Sequence, residues 1–306
     1  MIMETPIVTE RSTRTFSTPE QKRFSFFVHI IFILLCIAVI VPFLIILMAS
    51  FSEEMKLIRE GYWIWPRGFT LDAYLIVFNN GNQLMQSYSV TIISTCAGTL
   101  IGLCLMTTLG YVLSRKDYPY VGFLSFYVFF TILFKGGLVP SYILITKWLD
   151  MQDTIYALFV PAMVNAFYIL ILKGFLKSIP DAIYECAKLD GAGELRIFIR
   201  IVVPLSTPVI ATVGLLMALQ LWNDWFASLL YTESNSLLTL QAMLNRMLNS
   251  IQFLNVVKPT GMSGSILPVN SFRMAICVLA IGPLLFVFPF FQRFLTRGLT
   301  VGSVKG

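Results

Sequence analysis

The sequence predicts an all-α membrane protein with six transmembrane helices. Three observations carry that prediction. The 306 residues are 57% hydrophobic and only 12% charged, with a mean hydropathy of +0.79, whereas soluble domains run nearer a quarter charged. Apolar runs of roughly 20 residues, the length that crosses a hydrocarbon core, recur six times. A polar segment at 178–203 interrupts the series between the fourth and fifth runs, and it is patterned as two short amphipathic helices.

The expected spans are Phe26 to Ala49, Tyr88 to Leu113, Pro119 to Val139, Ile155 to Leu176, Pro204 to Tyr231 and Met274 to Phe294. The chain divides into an N-terminal segment (1–25), a six-helix transmembrane domain (26–296) and a C-terminal tail (297–306). The apolar run after residue 23 is too long for the core of a cleavable signal peptide. Orientation follows from the excess of Lys and Arg on cytoplasmic segments. With the N-terminus inside, Arg11, Arg14, Lys22, Arg23, Arg115, Lys116, Lys173, Lys177, Lys188, Arg196, Arg200, Arg293, Arg297 and Lys305 are cytoplasmic. That is 14 of the 22 basic residues. Both termini and the 178–203 segment then face the cytoplasm, and the setting is a multi-pass protein of the cell membrane. The net charge of +6 belongs to this asymmetry, and no nucleic-acid partner is expected.

Two outer segments are long. One holds Tyr62, Trp63, Ile64, Trp65 and Pro66, an aromatic group suited to the membrane interface. The other, Thr232 to Phe272, contains a stretch from Leu237 to Leu248 that repeats apolar residues at helical spacing. It reads as an amphipathic helix, either an interfacial anchor or a ledge for an external partner. The five cysteines (Cys36, Cys96, Cys104, Cys186, Cys277) show no paired spacing, so they are expected to be buried small apolar residues rather than disulfides or metal ligands.

The 178–203 segment can be read residue by residue. Ser178 suits a helix cap, Pro180 the first turn, and Asp181 the positive end of the helix dipole. The helix should run through Ile183, Tyr184, Ala187 and Lys188 and break at Asp190-Gly191, where glycine takes the left-handed conformation of a reversal. A second helix should carry Leu195, Phe198, Ile201 and Val202 on one face, with Pro204 opening the next span. The small residues Ala187, Gly191 and Ala192 would let another surface come close, and Glu185 offers a charge to register it.

This spacing resembles the coupling motif of ATP-binding-cassette (ABC) importer permeases: Glu, Ala, Ala, a Gly four residues on, then a hydrophobic residue, an aliphatic residue and Pro. Glu185, Ala187, Gly191, Ile201, Val203 and Pro204 fall on those positions. Cys186 stands where Ala is usual, and Val203 where Leu is usual. The likeness extends through Lys135 to Pro140, Asp153-Thr154, Ile179-Pro180, Pro204-Leu205-Ser206, Leu221 to Trp225, Leu240-Gln241, Phe288 to Gln292 and Arg297-Gly298 to Lys305-Gly306. The chain looks like the second permease subunit of maltose-type carbohydrate importers, closest to the branch that takes oligosaccharides and polysaccharide fragments.

The resemblance implies a type I ABC importer permease fold. It further implies a homologous second permease, two ATPase subunits, an extracellular solute-binding protein and an oligosaccharide substrate. ATP and Mg²⁺ would sit on the ATPases, with no cofactor on this chain. Glu185, Cys186, Ala187, Asp190, Gly191, Ala192 and Pro204 would serve ATPase coupling, and the tail from Gly298 to Lys305 and Gly306 would reach the ATPase interface.

Sugars are recognised by aromatic faces and planar hydrogen-bonding groups, and polar residues within spans face a path or another subunit. Gln220, Trp222, Asn223, Asp224 and Trp225 in span five, with Asn165 and Tyr168 in span four, are therefore substrate-path candidates. For the tryptophans the competing reading is an interface belt, and for Asn223 and Asp224 it is inter-helix hydrogen bonding. Lys135, near the outer end of span three, is long enough to snorkel. The sequence has no phosphate-binding Gly-x-x-x-x-Gly-Lys-Ser/Thr loop, and its one histidine, His29, allows no His-based catalytic triad or metal cluster. A membrane enzyme is therefore disfavoured. A secondary transporter or channel would need an ion relay, and it would leave the Glu185 segment unexplained.

Overall fold

The computed structural model describes residues 19–79, 81–257 and 268–301. Among these the chain is helical throughout, with one isolated antiparallel bridge between Ser52 and Phe69. Helix α1 (Pro19–Ser50) is long and apolar and is exposed along nearly its whole length. Two short helices, α2 (Glu54–Glu60) and α3 (Asp72–Phe78), precede α4 (Gly81–Ser114). At 1.5 Å per residue the last is long enough to cross a bilayer with tilt.

Helix α4 is the axis of the fold. It packs against α8 (Ala166–Leu176) and α12 (Thr207–Trp222), and α12 in turn packs on α15 (Val269–Val301), which carries α1 along its side. Close approach is possible because α4 is lined with small residues at four-residue spacing. A Cβ on Gly102 would stand 2.4 Å from the Met163 carbonyl oxygen, and one on Gly98 would stand 2.7 Å from Leu221 Cδ1. In lipid, where apolar burial between helices gains little, this backbone proximity supplies much of the packing energy. Met106, Ile169, Leu172, Val213 and Met217 fill the resulting interior.

Three of the six helices or helix pairs able to cross a membrane are unbroken (Arg23–Ser50, Gly81–Ser114 and Val269–Pro289). The other three are bent, where continuous spans had been expected. Helix α5 (Val121–Leu133) stops before Lys135-Gly136-Gly137, and the chain turns by 112° into Leu138–Trp148, which opens with α6 (Leu138–Ile143). Gly137 has φ +88 there, a conformation open to glycine and poor for a side-chain-bearing residue. The pair Tyr156–Ala162, which opens with α7 (Tyr156–Phe159), and α8 bends by 50°, with Asn165 capping α8 by accepting from the Phe167 N–H at 2.9 Å. The pair Glu194–Leu205 and α12 bends by 77° at Ser206, so the helix expected to run unbroken from Pro204 starts anew at Thr207. It also ends earlier than expected, because Asn223, Asp224 and Trp225 separate α12 from α13 (Phe226–Tyr231).

At the end of the bundle away from the 178–203 segment lies α14 (Leu240–Val257). The amphipathic helix is there, but not as an interfacial anchor. Leu240, Met243, Leu244 and Ile251 are buried with Phe272, Ala275 and Ile276 of α15 and with Leu84 of α4. The helix has its own chain to cover its apolar face, and packing against protein outcompetes lipid. Thr91 of α4 accepts the Leu240 N–H at 2.8 Å and so caps α14. The cysteine expectation also fails: Cys36, Cys96, Cys104 and Cys186 are free and exposed, and Cys277 is half-buried. A weakly polar thiol costs little whether exposed or buried.

Candidate functional site

The 178–203 segment folds as two short helices joined by a tight reversal. Helix α9 (Asp181–Leu189) starts after Pro180, and Asp181 lies in its first turn. Ser178 does not cap it. Its hydroxyl donates to the Phe175 carbonyl at 2.7 Å and so belongs to the end of α8. Gly191, at φ +77, ends α9. The Gly191 N–H donates to the Lys188 carbonyl and the Ala192 N–H to the Ala187 carbonyl, both at 3.0 Å. These two bonds form a Schellman cap, which satisfies carbonyls that the helix end would leave open. The chain resumes as α10 (Glu194–Ile197), passes through a π-helical turn (Phe198–Val202) and α11 (Val203–Leu205, holding Pro204), and bends into α12.

One face of this element is spent on the chain itself. Tyr184, Ala187, Ile197 and Val202 are buried with Tyr111 of α4 and Leu176 of α8. Ala187, 7% exposed, therefore allows close packing against its own bundle and not against an outside surface. Leu195, expected on the packed face, is 72% exposed, and Ile197 takes its place. Leu195 stands two residues, about 200° of helix, before Ile197, so the face that buries Ile197 and Val202 leaves it outside. The opposite face is open: Glu185, Cys186, Leu189, Asp190 and Gly191 are exposed, Leu189 at 88%. An exposed leucine beside a glycine bend and a free carboxylate has the form of a docking knob.

A polar cluster that the sequence reading missed fixes this knob to the end of α4. The Tyr111 hydroxyl donates to Glu194 Oε2 at 2.6 Å. Lys188 Nζ bridges Glu194 Oε1 at 2.9 Å and Asp117 Oδ2 at 3.0 Å. Arg115 donates to the same Asp117 oxygen at 2.9 Å, and its guanidinium lies 4.2 Å from the Tyr184 ring centroid. The Lys188 hydrogen bond, then that of Arg115, holds the Asp117 carboxyl at a pKa of about 2. Lys188 is raised by Glu194 and then Asp117. A cavity of about 360 Å³ opens between Tyr111, Arg115, Asp117, Tyr118 and Glu194. The available signal was Arg115-Lys116-Asp117, a mixed-charge run directly at the end of span two.

The substrate-path candidates divide. Tyr168 and Gln220 come together, with the hydroxyl 3.4 Å from Gln220 Oε1. Asn223 lies beside Gln241 of α14 at 3.4 Å, and Trp225 is exposed. Gln220 and Asp224 also border a cavity of about 340 Å³ with Ser141 and Tyr231. Trp222 is not with them. It is 6% exposed, and its indole N–H donates to the Ala280 carbonyl at 3.1 Å, so it joins α12 to α15. Asp224 accepts the N–H groups of Phe226 and Ala227 at 2.9 and 3.0 Å, starting α13. Asn165 is the α8 cap described above. Of the tail residues, Gly298 falls in the last turns of α15, while Lys305 and Gly306 lie outside the described residues.

Residues 118–301 match the sequence profile of the binding-protein-dependent transport system inner membrane components. The chain belongs to that family. It is a permease subunit of an ABC importer, a multi-pass protein of the cell membrane. Among its relatives, Protein LplC of Bacillus subtilis (strain 168) is 38% identical over 87% of this chain and 90% of its own length. The polygalacturonan/rhamnogalacturonan transport system permease protein YtcP of the same organism is 35% identical over 90% of this chain and 95% of its own. A subunit in the crystal structure of a bacterial ABC transporter that imports the acidic polysaccharide alginate superposes with a TM-score of 0.75. It covers 91% of this chain and 98% of that one at 24% identity, which establishes the shared fold.

Proposed function

We propose that this permease carries oligosaccharides inward across the cell membrane, driven by ATP that partner subunits hydrolyse, and that the 178–203 segment is its coupling element. The single observation that carries the reading is the two-sided build of that segment. One face is sealed onto the bundle, and the other presents Glu185, Leu189 and Gly191 outward. An exposed knob so rigidly backed suits an ATPase groove. With each bent helix pair taken as one span there are six, and the basic-residue asymmetry supports a cytoplasmic side for both termini and the knob. A homologous permease would complete the pore, and an external binding protein would deliver the sugar. ATP and Mg²⁺ belong to the two ATPase subunits. The names of the relatives, which include an arabinooligosaccharide permease of Bacillus subtilis at 26% identity, support the sugar class. The Tyr168–Gln220 pair, Asn223 and the exposed Trp225 supply groups that bind hydroxyl-rich ligands.

The test is affinity purification of the tagged chain in mild detergent, with its partners identified. The reading predicts recovery of an ATPase with the wild-type chain and its loss with Glu185→Lys, while membrane insertion is unchanged. Equal ATPase recovery with both would overturn the coupling assignment.

A further inference from the structure

The coupling segment is joined to the bundle by two routes. One is the chain itself, running through the π-helical turn at Phe198–Val202 and the 77° bend into α12. That route is not one continuous α-helix, so it offers no straight strut between knob and α12. The other is the polar cluster on α4. It consists of Tyr111 to Glu194 (2.6 Å), Glu194 to Lys188 (2.9 Å), Lys188 to Asp117 (3.0 Å) and Asp117 to Arg115 (2.9 Å), closed by the Arg115 guanidinium on the Tyr184 ring. This route touches both halves of the knob, because Lys188 and Tyr184 are on α9 and Glu194 is on α10. It also reaches α4 from two sides, through Tyr111 within the helix and Arg115 just past its end. The ion pairs are partly exposed, so each alone contributes little, and their strength as a brace lies in forming one connected network; Tyr111 is further held by its ring contacts with Tyr184 and Phe198.

We infer that Tyr111, Asp117, Lys188 and Glu194 are positioning residues. They form a clamp that makes α9, α10 and the end of α4 move as one body, so that displacement of the knob reaches the central helix directly. This rests on the coupling reading above. The four residues would touch neither nucleotide nor sugar. They act by fixing the angle between knob and bundle, and α4 then carries the motion to α8 and α12, which pack along it.

The experiment uses the purified complex of the full chain with its partner permease and ATPases in lipid discs, and reads backbone amide exchange. The probe is ATP, Mg²⁺ and vanadate, compared with the nucleotide-free complex. In the wild type, nucleotide should change exchange in both 181–205 and the last turn of α4. Tyr111→Phe, Glu194→Ala and Lys188→Met should keep the ATPase bound and keep the response of α9. Their response at the end of α4 should fall roughly tenfold, the scale of one lost coupling interaction. Lys188→Arg should restore it, because a positive donor is kept. A merely structural role would loosen both regions in the absence of nucleotide, and it would not separate their responses. Should Glu194→Ala fail to assemble, Tyr111→Phe decides, because it removes one hydroxyl and keeps the ring packed. Wild-type responses at both places in Tyr111→Phe and Lys188→Met would overturn the clamp while leaving the coupling reading standing. No response of 181–205 in the wild type would overturn both.

Discussion

Gly191 is where local conformation and the proposed docking meet. Its φ of +77 costs a residue with a Cβ about 1–2 kcal/mol, although nothing lies within 4 Å of where that Cβ would be. The penalty is therefore conformational and not steric. Gly191→Val should reduce ATPase co-purification several-fold, whereas Gly191→Asn, which tolerates the left-handed region, should retain most of it. Quantitative co-purification separates the two, and equal loss in both would point to the outer surface and not the turn. Asp117 sets a second expectation. Its pKa is lowered from 3.8 to about 2, chiefly by Lys188, so its contribution is present above pH 4 and is lost as pH falls towards 2. Lys188, raised above its ordinary 10.5, contributes below that pH and loses its effect only as pH rises beyond it. The cluster is thus charged throughout the range between. Amide exchange of α9, corrected for intrinsic rate, should be flat from about pH 5 to 8. A step near neutrality would mean that these pairs do not hold the segment.

At the scale of elements, α4 depends on closeness and α15 on an outside cap. Gly102→Ala would push a methyl into the Met163 carbonyl and the Met217 side chain, both 2.4 Å away. It should lower stability by about 1–3 kcal/mol, read as a drop in Tm of the detergent-solubilised protein. Gly174→Ala, with nothing within 4 Å of its Cβ, serves as the control and should leave Tm near wild type. Helix α15 begins against Glu54 of α2, whose carboxylate accepts the N–H groups of Asn270 and Ser271 at 3.0 Å and their side chains at 2.9 and 3.1 Å. Removing a cap of this kind costs about 1–2 kcal/mol, so Glu54→Ala should also lower Tm. An unchanged Tm would mean that water replaces the carboxylate at no cost.

Across the whole molecule, what sequence could show was whatever repeats at helical length or stands at a fixed short spacing. The apolar runs of α1, α4 and α15 and the Asp190-Gly191 break with its left-handed glycine were readable for that reason. The bends were not, because Lys135-Gly136-Gly137 and Ser206 sit inside windows that remain apolar enough to pass as continuous spans. Trp222 and Asp224 look like path residues by type. Only the neighbouring helix reveals that Trp222 donates to the Ala280 carbonyl, whereas Asp224 both starts α13 and borders the cavity beside Gln220. The polar cluster joins Tyr111 and Glu194, 83 positions apart, a pairing that no local pattern encodes. The most direct measurement is ATPase recovery with the affinity-purified chain, wild type against Glu185→Lys, at equal amounts in the membrane. The account predicts a co-purifying ATPase with the wild type and little or none with the variant. A chain that purifies without any ATPase, or a variant that recovers it in full, would contradict it.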